Sequence, residues 1–314
     1  MASSRRLLVA VDGSSHSFDA VRYLAHLSTG SRATLKLLSI LPAFQEEVFW
    51  QVPMDKEFMR HMRTRYEDHA SEARKSAEGF LDRCLKILVD AGIPESFVDL
   101  EVKPQRVGVA RDIIAEAGTG YDAVVIGRRG LGKVESFLLG SVSTKIVQRL
   151  QTIPVWVVGG LSQVKRVLIA VDASANSGKA VDFAASYLSG TDCKIRLFHA
   201  VRGFPPTLGP TFLQTGEELE RQLAANLNKG ITQMFDVYRS RLMAAGIDSE
   251  RIQTEWTMGS ISRAAEILTS ARRGEFGTVV LGRRGISAVR ELVMGRVTNK
   301  VLNGAEGLAV WVVP

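Results

Sequence analysis

The sequence predicts an α/β protein made of two tandem doubly wound domains, each with a five-stranded parallel sheet. Three observations predict it. Arg6-Leu-Leu-Val-Ala-Val-Asp-Gly-Ser14 reads again as Arg166-Val-Leu-Ile-Ala-Val-Asp-Ala-Ser174, with Asp12 standing against Asp172. Gly127-Arg-Arg-Gly130 returns as Gly282-Arg-Arg-Gly285, and Val155-Trp-Val-Val158 as Val310-Trp-Val-Val313, so the second copy is five residues shorter between these landmarks. In both copies short apolar runs alternate with amphipathic stretches, the pattern of a parallel sheet covered on both faces and joined by right-handed crossovers.

The first copy opens with Leu7 to Val11, a strand-length apolar run, then Asp12-Gly-Ser-Ser15 and an amphipathic helix from His16 to Leu27. Strands follow at Thr34 to Leu41, Phe97 to Val102, Ala123 to Ile126 and Val155 to Val158, with helices at about 55–91, 106–117 and 141–150. The second copy repeats the strands at Val167 to Val171, Lys194 to Val201, Ile252 to Thr257, Thr278 to Leu281 and Ala309 to Val313. Its long helix is expected near 212–245. The apolar residues of the long helices (Phe58, Met62, Tyr66, Phe80 and Leu81; Leu219, Leu223, Leu227, Phe235 and Leu242) read as sheet-packing stripes. The boundary falls in Gly159-Gly-Leu-Ser-Gln-Val164, giving domains 1–160 and 161–314. The terminal strand of each copy would be an edge, able to pair with the other copy or with a second chain as a homodimer.

Two domains of about 150 residues fit a chain of 314, and 46% hydrophobic with 23% charged residues is a globular composition. No apolar run approaches the roughly 20 residues a bilayer span needs, and Asp12 interrupts the N-terminal apolar run too early for a signal peptide, so a cytoplasmic protein with no membrane partner is expected. The net charge of +7 is dispersed among acids, as in His61 to Asp90, which argues against nucleic acid. Cys84 and Cys193 cannot build a zinc site, and no metal ligand set is expected from the protein. Histidines 16, 26, 61, 69 and 199 show no ligand spacing, and His199 reads as a core histidine in a strand.

The stretch from Gly127 to Ser143 leaves a strand and enters a helix. Its glycines admit backbone amides close to phosphate oxygens, and the helix N-terminus adds unpaired N–H groups and a favourable dipole. Ser141 and Ser143 add hydroxyls. Gly127 to Lys133 reads as GxxxxGK, but Val134 stands where a P-loop needs Ser or Thr, and the second copy has Ile286-Ser-Ala with no lysine. A P-loop nucleotidase is therefore excluded.

Gly127, two residues, Gly130, nine residues, Gly140 and Ser141 resemble the nucleotide-binding signature of the universal stress protein family, and Gly282, Gly285 and Gly295 reproduce the spacing. The strand ending in Asp12-Gly-Ser14 and Pro154 to Val158 also resemble that family, so the likeness spans nearly the whole chain as a tandem member. The resemblance implies an adenine nucleotide alpha hydrolase-like, Rossmann-like fold. It also implies ATP, with or without Mg2+, as the ligand of a regulatory nucleotide sensor in the stress response. The aspartate after the first strand would contact the nucleoside, the end of the second strand the adenine, and the glycine loop the ribose and phosphates. The first site would be Asp12, Gly13, Ile40, Gly127, Arg128, Arg129, Gly130, Gly140, Ser141, Val142 and Ser143. The second would be Asp172, Gly282, Arg283, Gly285, Gly295, Arg296, Val297 and Thr298.

Alternative roles stay open for several of these. Asp12 also suits a helix N-cap. Arg128–Arg129 and Arg283–Arg284 suit either exposed loop charges or compensation of a polyphosphate. In the second copy Gly13 becomes Ala173 and Ser141 becomes Arg296, which either clamps a phosphate or fills its place. No nucleophile, base and orienting acid assemble, so no catalytic residue is assigned. The competing functions are a nucleotide-independent interaction module and a slow ATP hydrolase.

Overall fold

Leu7, Leu8 and Val9 are at most 1% exposed, so the first strand is buried on both faces, as an unbroken apolar run in a parallel sheet requires. The structure, a computed structural model, describes residues 5–27, 33–41, 55–130, 139–160, 165–202, 216–286 and 294–314. Val134, the Ser-Ala after Ile286 and linker residues 161–164 lie outside them. The chain divides into two compact units, residues 1–158 and 159–314.

In the first unit β1 (Arg5–Val11), α1 (Ser15–Leu27), β2 (Ala33–Leu41), α2 (Lys56–Asp90), β3 (Val98–Pro104), α3 (Val109–Ala117), β4 (Ala123–Gly127), α4 (Ser141–Arg149) and β5 (Val155–Val158) alternate. The parallel strands stand in the order β3-β2-β1-β4-β5. The chain starts in the middle, winds out to β3, then returns to β4 beside β1, with Ala10 in register with Ile126. The winding therefore reverses between β1 and β4, where open α/β sheets leave a crevice at their carboxyl ends.

The second unit repeats this with β6 (Arg166–Ala170), α5 (Ala175–Leu188), β7 (Lys194–Arg202), α6 (Gly216–Ala244), β8 (Ile252–Ser260), α7 (Arg263–Arg273), β9 (Thr278–Gly282), α8 (Arg296–Gly304) and β10 (Ala309–Val313). The order is β10-β9-β6-β7-β8, and Ala170 pairs with Leu281 at the same switch point.

The long helix α2 corrects the expectation of a continuous sheet-packing stripe. Phe58 is 50% exposed, and full burial begins only at Phe80, Leu81, Cys84 and Leu88. A helix of 35 residues runs roughly 50 Å, whereas a nine-residue strand spans about 30 Å, so the first half of α2 outruns the sheet. Among the described side chains of α6 the buried ones are Ile231, Phe235, Tyr238 and Leu242, one face at helical spacing. Phe235 and Leu242 are thus confirmed, Leu227 is half-buried, and the side chains of Tyr66, Leu219 and Leu223 lie outside the described ones. Cys84 and Cys193 are free and buried, and burial pushes the Cys84 thiol up to about 12.

Strand β3 is the sheet edge and carries charges where an inner strand carries aliphatics, a protected edge. Lys36 on β2 reaches Glu101 at 2.6 Å and Glu116 at 3.2 Å, while Lys103 reaches Glu116 at 2.7 Å and Glu101 at 3.0 Å. Tyr121 Oη donates to Glu116 Oε1 at 3.0 Å. Burial alone would push the Glu116 carboxyl up. Hydrogen bonds from Lys103, Lys36 and Tyr121 outweigh it and hold the group at about 2. This folded-state value lies below the roughly 4.3 of an unfolded glutamate. The stability it contributes is therefore complete above about pH 4.3 and is lost as the pH falls through about 2. Glu116→Gln is expected to cost about 3 kcal/mol at pH 7, with the difference in Tm from wild type closing between about pH 4.3 and 2; a constant difference across that range refutes the assignment.

Candidate functional site

Both switch points hold the same small device. Ser14, not Asp12, caps α1: its Oγ accepts from Ser17 N–H at 3.2 Å. Asp12 is left for another task, which removes the N-cap alternative. Its Oδ1 accepts from Ser14 N–H at 3.1 Å and from the Ser17 hydroxyl at 2.6 Å, and its own N–H donates back to Ser17 Oγ at 3.0 Å. The second copy matches it: Ser174 caps α5, and Asp172 Oδ1 accepts from Ser174 N–H, the Ser174 hydroxyl and the Ser177 hydroxyl. Serines two and five residues after each aspartate were the sequence signal for this cage.

The glycine loops close against these aspartates. A Cβ on Gly130 would run into Asp12 Oδ2, and one on Gly285 into Asp172 Oδ2. A Cβ on Gly127 would stand 2.8 Å from the His16 carbonyl oxygen, and one on Gly282 3.0 Å from Asn176. The signature glycines are therefore demanded by contacts within the protein, strand end against helix start and loop against carboxylate. Gly13 is different, with φ at +85°, the left-handed region that its replacement Ala173 does not enter.

Asp12, Ile40, Gly127, Arg129, Gly130, Gly140, Ser141, Val142 and Ser143 all line one cavity of about 470 Å³. That volume is within the usual small-molecule range of roughly 300–1,000 Å³. Ile40, Ile126, Val109 and Ile113 form an apolar wall, the last two from α3, which the sequence reading did not single out. In the same lining Gly140 precedes α4, whose first amides, at Ser141 to Ser143, have no carbonyl within the helix to bond.

Three expectations change. The Ser143 hydroxyl donates to the Gly127 carbonyl at 2.8 Å, and Thr298 to the Gly282 carbonyl at 2.9 Å, so these protons tie helix to strand. Arg128 and Arg283 are only 3% exposed, not solvated loop charges, and it is Arg129 and Arg284 that line the cavities. Burial, with Arg284 alongside, holds the Arg283 guanidinium below its usual range. Gly13 is not among the lining residues of the cavity.

The second cavity, about 230 Å³, is lined by Asp172, Gly282, Gly285, Gly295, Arg296, Val297 and Thr298, together with Arg263, Arg284 and His199. His199 is half-buried and faces the cavity; its Nδ1 lies 2.7 Å from the Val171 carbonyl oxygen and, since a carbonyl only accepts, Nδ1 carries the proton. It therefore is not a core histidine. Asp172 Oδ2 also accepts from Ile286 N–H at 3.0 Å. Burial raises the Asp172 carboxyl, but bonds from Ser174, Ser177 and Ile286 prevail and hold it below the usual range. Among the described residues no group of three or more His, Cys, Asp or Glu side chains is placed to hold a metal, and no helix is long and apolar enough to cross a membrane.

Two doubly wound α/β domains in tandem, each with an aspartate against a glycine loop at its switch point, define the class of protein. The chain belongs to the universal stress protein family, whose model matches residues 3–159 and again 163–314. A universal stress protein of Mycolicibacterium smegmatis is 26% identical over 313 residues, covering 97% of this chain and 95% of that relative. The crystal structure of a universal stress protein from Archaeoglobus fulgidus has a TM-score of 0.65 at 19% identity, covering 99% of this chain and 98% of its own, a likeness of fold. A universal stress protein structure from the same organism, in complex with dAMP, is 16% identical over 49% of this chain and 97% of its own, with a TM-score of 0.33.

Proposed function

We propose that the first cavity binds an adenine nucleotide, ATP in the first instance, and that the bound nucleotide regulates the protein rather than serving as its substrate. The observation that carries this is the three-part lining of one cavity. Ile40, Val109, Ile113 and Ile126 offer an apolar wall to a base, the oriented Asp12 carboxylate accepts from ribose hydroxyls, and the start of α4 offers amides to phosphates. Arg129 supplies a cation beside the phosphate end. Any Mg2+ would arrive on the phosphates, since Asp12 is the one carboxylate among the described lining residues.

The regulatory reading rests on the same lining. Among the described residues it contains no histidine, lysine, cysteine or second carboxylate to pair with a nucleophile, and Asp12 is engaged by Ser14 and Ser17. Titration of the full-length chain with ATP is expected to fill the first cavity saturably, and mass spectrometry of molecules released from denatured, freshly purified protein to show an adenine nucleotide. No saturable binding together with no carried nucleotide refutes the proposal. Phosphate release above the spontaneous rate, abolished by Asp12→Ala, would instead make the protein a slow hydrolase.

A further inference from the structure

The two cavities are built on the same frame but lined with different charge. Arg263, Arg284 and Arg296 line the second, where the first has Val109, Arg129 and Ser141. Two of these arginines are the first residues of helices, Arg263 of α7 and Arg296 of α8. A cation there meets the positive end of the helix dipole, an arrangement unfavourable by itself and reversed when an anion lies between. The third, Arg284, has a buried Nε with no hydrogen-bond partner among the described residues.

Features that suit a nucleoside are weakened in the same cavity. Asp172 is held to its own loop: Oδ1 accepts from Ser174 N–H and the hydroxyls of Ser174 and Ser177, and Oδ2 from Ile286 N–H. The apolar wall loses Val109 to Arg263, Ile40 gives way to the smaller Ala200, and the volume is about 230 Å³ against 470 Å³.

We infer that the second cavity is a diphosphate site: its arginines clamp a pyrophosphate group, and it does not hold a nucleoside. Guanidinium groups bind phosphate oxygens bidentately, and Asp172 acts as a brace for the loop through Ile286 rather than as a ribose ligand. The diphosphate can be free pyrophosphate or the tail of a nucleotide whose base stays outside. The inference is independent of what the first cavity holds.

The test is calorimetric titration of the full-length chain carrying Ile40→Arg, which charges the first cavity's apolar wall, in buffer free of phosphate and sulfate. Pyrophosphate, ADP and adenosine are the probes. Pyrophosphate is expected to bind at a site that depends on these arginines, with Arg263→Val and Arg296→Ser each weakening it at least tenfold and excess adenosine leaving it in place. Arginine-dependent binding of ADP without binding of free pyrophosphate identifies the nucleotide tail as the source. Both substitutions restore the first copy's residues and remove a cation from a helix start, so the ligand-free Tm is expected to stay level or rise. Adenosine saturating this site, or neither diphosphate showing arginine-dependent binding, overturns the inference. A fall in the ligand-free Tm of both variants also overturns it, because the arginines would then be structural. Loss of ATP binding in the wild-type chain with pyrophosphate binding retained refutes the nucleotide proposal alone.

Discussion

Gly130→Ala is expected to weaken ATP binding by about 30- to 150-fold, or about 2–3 kcal/mol, with the fold retained. The added Cβ falls on Asp12 Oδ2, and Gly130 has no positive φ, so the penalty comes from this one contact rather than from backbone conformation. Two relaxations are available. Asp12 swings away and gives up its bonds from Ser14 N–H and the Ser17 hydroxyl, or the loop lifts off the carboxylate and widens the phosphate end of the cavity. Either separates groups that the proposed nucleotide would have to meet together, where small misplacements are costly. Titration with ATP beside a circular dichroism spectrum measures both quantities. Unchanged affinity in a folded variant would remove Asp12 and the glycine loop from a common site. Gly140 is a poorer probe than its place in the signature implies, because its Cβ would stand 3.3 Å from the backbone of Arg128 and Arg129 and would disturb the loop itself.

Trp156→Ala is expected to lower the stability of the first unit by about 3–5 kcal/mol. Trp156 is 0% exposed on β5, and Tyr23 of α1 meets it edge-on, with ring centroids 6.4 Å apart at 85°. Truncation leaves a void beneath α1, the helix whose first turn carries the Asp12 cage. The loss therefore combines transfer and cavity terms with a weakened aromatic pair. Urea denaturation followed by circular dichroism reads it, and a cost below about 1 kcal/mol would mean that the surroundings collapse to fill the void. Trp311 has the corresponding place in the second unit, against Phe183 and Tyr187.

The strands and the switch point were legible because buried parallel strands must be apolar on both faces, and Leu7 to Val11 or Ala123 to Ile126 can be little else. The repeat made each reading twice. The edge strand was less legible: Phe97 precedes β3 in a short 3-10 turn, and Asp99, Glu101 and Lys103 replace the aliphatic run with an ion cluster. At the site, Asp12, Ile40 and the glycine spacing pointed to residues that do share a cavity. What they did not reveal depends on partners distant in sequence. The burial of Arg128, the Ser143 bond to the Gly127 carbonyl 16 positions earlier, and the entry of Arg263 into the second cavity all follow from packing that no local pattern encodes. His199 misled because a strand position was equated with the core, whereas the carboxyl end of β7, beside the central strand, opens into the crevice.

The two long helices differ at one point of attachment. Tyr238 of α6 donates its hydroxyl to the Asp172 carbonyl oxygen at 2.7 Å. The corresponding residue of α2 is Cys84, which is fully buried and too short to make the same reach. In the second unit a rod of 29 residues is thus bolted to the very residue that braces the arginine-lined cavity. At that position the second unit ties its long helix to the backbone of the site aspartate by a hydrogen bond, where the first unit has a buried thiol.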